Sequence, residues 1–351
     1  MNDIESAGAP APVPETPPDV SPSGGADSTA IAATQQAVPD TPLLSRLIGV
    51  LFSPGQTFKQ IAARPAWTGA LAVYLVAVAM TALVYSFNVD WEGLIRGQFE
   101  ESLGWRLASS MLPEDNLNQI EKQAVDNVTN LGTGGMALLT TVQTLVGGAV
   151  GFHLMAILFA TLMYLMGSFG DLRLGRVYLD GFICILVLMA LFFVGALLQI
   201  PFGDDPRAGL PYQAGLNMLT LILYLWMFGR AVNRQPVFRR FISVYAHAMA
   251  VPAIAALLSI VVLMVQSEPV TVAANDILRS NLGALFGMKG TNAASVLLGS
   301  IDLFRIWELV VVSIGFAALS GMSFGATIAI TFLPWGFLTM ARFALALAFG
   351  G

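Results

Sequence analysis

The sequence runs to 351 residues, 56% of them apolar and 11% charged, with a mean hydropathy of +0.72. A soluble domain carries roughly twice that share of charge, so a fold that meets water over its whole surface is excluded and most of the chain belongs in a bilayer. The formal net charge of −5 divides unevenly: residues 1–40 hold six acids and no Lys or Arg, and the remainder, with 17 basic and 16 acidic residues, lacks the basic face a nucleic-acid partner requires.

Residues 1–42 carry eight prolines among Ala, Ser, Gly and acids. They hold too little apolar surface to offset the entropy of ordering, which predicts a disordered tail. The first residues, Met-Asn-Asp-Ile-Glu, have neither the basic n-region nor the apolar h-region of a cleaved signal peptide. Leu43 to Phe52 then reads as a short apolar helix. Ser53 is placed to cap a second one, with Pro54 at its first position and Gln56 completing a capping box. Phe58 and Ile61 fall on one side of this helix and Lys59 and Arg64 on the other, the pattern of amphipathic helices at a membrane interface.

Seven apolar segments follow, near 67–87, 136–166, 179–200, 211–232, 241–265, 303–321 and 324–349. Each approaches or exceeds the roughly 20 residues a spanning helix needs, so an all-α polytopic transmembrane bundle of about seven spans is predicted over 43–351. Thr140, Thr141, Gln143 and Thr144 predict that the first turns of the second segment stand outside the hydrocarbon. The last two segments form a tight hairpin around Gly321 to Gly325. Between the first two spans, an external loop at 88–135 predicts two amphipathic helices. Trp91, Ile95, Phe99, Leu103, Leu107 and Met111 line one, Pro113 ends it, and Leu117, Ile120, Ala124 and Val128 line the next. The pair either lies on the membrane or folds over the bundle.

Basic residues cluster in alternate connections: Arg46, Lys59 and Arg64, then Arg173 and Arg176, then Arg230, Arg234, Arg239 and Arg240. That bias predicts a cytoplasmic N-terminus and an external C-terminus. The four arginines of 230–240 fit either anionic lipid head groups or simple positive-inside topology. Cys184, the one cysteine, lies inside an apolar run and has no partner for an intramolecular disulfide.

Signals for chemistry are sparse. His153 and His247 are the only histidines; they fall at different depths with no Cys or carboxylate at ligand spacing, so each reads as a buried, hydrogen-bonded histidine and no metal is expected. Gly321-Met322-Ser323-Phe324-Gly325 matches Gly-x-Ser-x-Gly, but no Asp, Glu or His follows Ser323, and a small-residue turn is the reading. No phosphate loop or dinucleotide fingerprint is present, so no cofactor and no enzymatic activity are expected. Gly147 and Gly151 permit close helix approach. Glu308 and Arg342 each lie 17 positions from Gly325, which in an antiparallel hairpin predicts an intramembrane ion pair, extended by Arg305 and Asp302. Snorkelling of Arg342 and a neutral Glu308 are the alternatives.

Three segments carry a family resemblance. LFSPGQTFKQIAARPAW (51–67) holds Ser53-Pro54, Thr57-Phe58 and Pro65. VFRRFISVYAHAMAVP (237–252) holds Ser243-Val244-Tyr245 and Pro252, and IDLFRIWELVVVSIGFAALSG (301–321) holds Asp302, Phe304, Trp307 and a late glycine. In this order they resemble the Ypt-interacting-protein (Yip-one) domain family of polytopic membrane proteins, over roughly 43–349. The resemblance implies a five-span core with a cytoplasmic N-terminus, which this chain exceeds by two spans. For eukaryotic members it implies association with Rab-type GTPases. The Ala/Pro-rich tail points to a bacterial, inner-membrane type, so such a GTPase is an expected partner only in a eukaryotic membrane.

The expected function is a non-enzymatic scaffold or adaptor, with the lipid bilayer and other membrane proteins as partners. A small-solute transporter or channel is the alternative; its candidate groups are Pro252, Pro334, His153, His247 and Asn217.

Overall fold

The computed structural model describes residues 41–349 apart from 102–104, 106–107, 110, 200–205, 273–276 and 289–291. The disordered tail expected over 1–42 lies outside the described residues save for its last two, and so do Leu103 and Leu107 of the first loop helix.

In chain order the helices are α1 (Leu43–Phe52), α2 (Pro54–Ala63), α3 (Thr68–Asn88), α4 (Trp91–Glu101), α5 (Glu114–Leu165), α6 (Leu174–Gln199) and α7 (Pro206–Asn233). There follow α8 (Pro236–Ala248), α9 (Ala250–Val265), α10 (Leu282–Leu285), α11 (Ala293–Ser300), α12 (Leu303–Ser320) and α13 (Phe324–Phe349). Among the described residues seven helical stretches are long and apolar enough to cross a membrane: α3, the second half of α5, α6, α7, α8 with α9, α12 and α13. They coincide with the seven segments expected. The chain reverses between successive spans. Connections 64–67, 166–173, 234–235 and 321–323 therefore gather at one end, called here the basic end, while α4 and the stretch 266–302 gather at the other.

One local expectation is corrected. Pro54 does occupy the first position of α2, but the Ser53 side chain makes no capping bond and no capping box forms. Ser53 also ends α1, its N–H bonded to the Gly49 carbonyl at 2.7 Å, and Thr57 donates back to its carbonyl at 3.0 Å. The elbow is that tight because Gly49 has no Cβ; one would sit 2.5 Å from the Thr57 hydroxyl. The expected second loop helix and second span follow one another along α5, and the helix breaks between them at Gly132 (φ 64°, ψ 174°), a conformation glycine adopts without steric cost. The fifth span breaks at Met249, between α8 and α9. Pro252 is the cause: it has no N–H to give the Ala248 carbonyl, and its ring crowds that carbonyl, so the turn opens just before it.

α4 folds over the bundle. Leu94 and Trp91 pack with Tyr85, Val89, Leu263, Val270 and Ile277 at the ends of α3 and α9. Arg96 joins it to α5 through Glu121 at 3.4 Å, with Glu92 of its own helix at 2.9 Å. Of the expected apolar stripe in the first part of α5, Leu117 is buried while Ile120 is exposed; Val125 takes the inner place.

The core lies toward the basic end. Phe58, Phe159, Phe228, Phe241 and Phe316 are fully buried there, with Phe241 stacked on Phe316 at 4.8 Å and Phe152 on Tyr245 at 4.8 Å. α6 rests mainly on α7 at one flank, and α13 lies along α12 at another, held by a Ser313–Thr331 hydroxyl contact of 2.5 Å.

Candidate functional site

Away from the basic end the spans part to leave a cavity of about 1400 Å³. Its walls come from α3 (Tyr74, Thr81), α5 (Thr140, Thr144), α9 (Pro252, Ser259) and α13 (Trp335, Leu338, Arg342). α11 and the start of α12, with Asp302 and Arg305, line it from the loop side. Thr140 and Thr144 near the start of the second span are thus part of this wall. Gly147 and Gly148 continue it; at Gly148 a Cβ would lie 3.3 Å from Leu75, so the glycine sets how closely α5 approaches α3. Thr81 bridges α3 to α9 through the Ala256 carbonyl at 2.8 Å.

The charged residues of this region do not pair as the sequence suggested. Glu308 is buried and bonds the Arg305 guanidinium at 2.7 Å, one turn away on α12, not Arg342. The reason is hairpin register. The Ser313–Thr331 contact places the mirror point of the hairpin near residue 322, three residues before the assumed Gly325. Left-handed Gly321 (φ 71°) ends α12 there and lets the chain turn at once. Arg342 therefore lies level with Asp302, roughly 9 Å beyond Glu308 along the axis. Asp302 is itself engaged: it caps α12 by accepting from the Arg305 N–H at 2.9 Å and takes a hydrogen bond from the Ser280 hydroxyl. Arg342 is exposed to the cavity and has no ion-pair or hydrogen-bond partner among the described residues. Trp307 makes no contact with these charges that the structure shows; it packs half-buried against the main core, beside Phe304.

Both histidines are buried. His153 on α5 shares a 2.6 Å hydrogen bond with the Tyr224 hydroxyl of α7 and sits 4.3 Å from the Phe228 ring. His247 on α8 donates from Nδ1 to the Ser243 carbonyl at 2.7 Å, and its Nε2 has no hydrogen-bond partner among the described residues. The two lie in one core but serve different helix contacts, and no cluster of metal-binding side chains occurs among the described residues.

At the basic end Arg230, Arg234, Arg239 and Arg240 are all exposed, as are Lys59, Arg64, Arg173 and Arg176. Arg230 lies over the Trp226 ring at 4.9 Å, and Arg239 donates to the Pro65 carbonyl at 3.1 Å, tying α8 to the end of α2. The three segments that carry the family resemblance meet beneath them: α2, α8 and α12 pack on one another, with Phe58 and Val244 closing over Gly315. A Cβ on Gly315 would stand 2.5 Å from Val244 and 3.2 Å from Phe58.

Sequence reasoning missed the cavity wall formed by α11 and by Leu278, Ser280 and Asn281 just ahead of the short helix α10. Its signal was present in two asparagines: Asn281 and Asn292 each accept from the N–H three residues on, at 2.8 Å, and start these short helices. Tyr224 was missed as well, and a lone tyrosine in an apolar run carries no sign of its partner. No protein-family model matches the chain, and no curated protein or solved structure matches it.

Proposed function

We propose that this chain is a non-enzymatic scaffold of a bacterial cytoplasmic membrane, of the Yip-one type, whose basic end faces the cytoplasm and holds other membrane proteins. The observation that supports the reading is the convergence of residues 51–67, 237–252 and 301–321 into one packed unit beneath the exposed cations. Motifs separated by so much chain have reason to meet when together they build a surface. α1 suits the same role: Leu44, Ile48 and Phe52 are exposed along one side, an apolar face for the bilayer interface.

The test is affinity purification of the full chain in mild detergent, beside a variant with Arg234→Glu and Arg240→Glu, two exposed arginines that hold no other helix in place. The reading expects a reproducible set of membrane proteins with the parent chain and their loss with the variant, at unchanged thermal stability. The same set on both chains, or none on either, would defeat it. A second reading, a small-solute carrier, is favoured by the cavity between the spans; flux of a solute into vesicles containing the purified chain would establish it instead.

A further inference from the structure

We infer that the cavity between α3, α5, α9 and α13 is a binding site for one phospholipid, with its phosphate on Arg342 and its acyl chains running down toward Trp335. This inference does not rest on the scaffold reading.

Four observations carry it. Arg342 stands inside a spanning helix, seven residues or roughly 10 Å from the end of α13, with no partner among the described residues. An unpaired guanidinium at that depth is costly, and an anion able to reach it from the membrane relieves the cost. The neighbouring charges are already used. Arg305 is neutralised by Glu308 at 2.7 Å, and both Asp302 oxygens are engaged elsewhere, one by the Arg305 N–H and one by the Ser280 hydroxyl, with no bond to Arg342. The wall beneath Arg342 is apolar: Trp335 and Leu338 share its face of α13 at helical spacing and line the cavity one to two turns deeper. Across from them, Thr140 and Thr144 present hydroxyls without hydrogen bonds among the described residues, suited to ester or glycerol oxygens.

Size separates a lipid from a small solute. A cavity of about 1400 Å³ exceeds the roughly 300–1,000 Å³ typical of drug-sized ligands. A free anion at Arg342 would leave the apolar floor unfilled, whereas an amphiphile satisfies both parts. Arginine also presents the planar, two-pronged donor geometry that phosphate oxygens accept best.

The experiment uses the full chain purified in a neutral detergent, with bound lipid counted by native mass spectrometry and affinity read from the thermal shift on adding phosphatidylglycerol. The parent chain is expected to retain about one phospholipid and to be stabilised by added lipid. Arg342→Gln is expected to weaken that response about tenfold or more, and Arg342→Lys to keep part of it. Because Arg342 has no ion-pair or hydrogen-bond partner among the described residues, Arg342→Gln should melt no lower than the parent chain when lipid-free, which separates lost binding from lost folding. Equal lipid retention by the parent chain and Arg342→Gln would overturn the proposal. So would a matching shift from inorganic phosphate alone, which would make the site one for a free anion.

Discussion

Glu308 and Arg305 form a charge pair within a span, and the two partners are unequally placed. The Glu308 side chain is 9% exposed and the Arg305 side chain 35%, on the side of the cavity. Removing the arginine strands a buried carboxylate, while removing the acid frees a guanidinium that reaches open space. Arg305→Gln is therefore expected to cost about 3–5 kcal/mol, the scale for breaking a buried pair from one side, and Glu308→Gln distinctly less. Thermal unfolding in detergent orders the two. Exchanging Glu308 for Arg and Arg342 for Glu together should recover nothing, because hairpin register holds those residues roughly 9 Å apart along the axis. Recovery in that double variant would mean the register is wrong.

Among the elements, α2 is the clamp of the bundle. It has only ten residues, yet Phe58 and Ile61 are fully buried, pressed against α8 and α12 where Gly315 leaves a hollow. Phe58→Ala should cost about 3–5 kcal/mol by opening a cavity that packed helices cannot fill. Gly315→Val should cost about 1–3 kcal/mol from the opposite cause, since its new atoms collide with Val244 and Phe58. Phe52→Ala is the control: its ring is 80% exposed, so melting in detergent should not change. If Phe52→Ala proved as damaging as Phe58→Ala, α1 rather than α2 would be the element that closes this end.

For the whole molecule, seven alternating crossings put α2 and the 234–235 connection at one end and the acidic helix pair at the other. With Cys184 replaced by Ser, single cysteines at Lys59, Arg234 and Glu121 should divide under an impermeant thiol reagent on intact cells. Positions 59 and 234 should behave alike and 121 oppositely. With the basic end cytoplasmic, 121 is the one labelled. Labelling of 121 together with 234 would remove a crossing from the architecture.

Composition and hydrophobic run length were enough to place an all-helical membrane bundle and seven spans, because lipid forces every backbone group into local hydrogen bonds and so writes each span into a contiguous stretch of chain. Pro54 opening α2 and the burial of both histidines were legible for similarly local reasons. What joins distant segments was not. Gly321 rather than Gly325 set the turn, which moved Arg342 from Glu308 to the level of Asp302, and a shift of a few residues left no mark in composition. The α5 kink at Gly132, the His153–Tyr224 bond and the meeting of α2, α8 and α12 likewise depend on how helices approach one another. The cavity depends on where they fail to approach. Local propensity and hydropathy carry no term for either, so packing alone decided them.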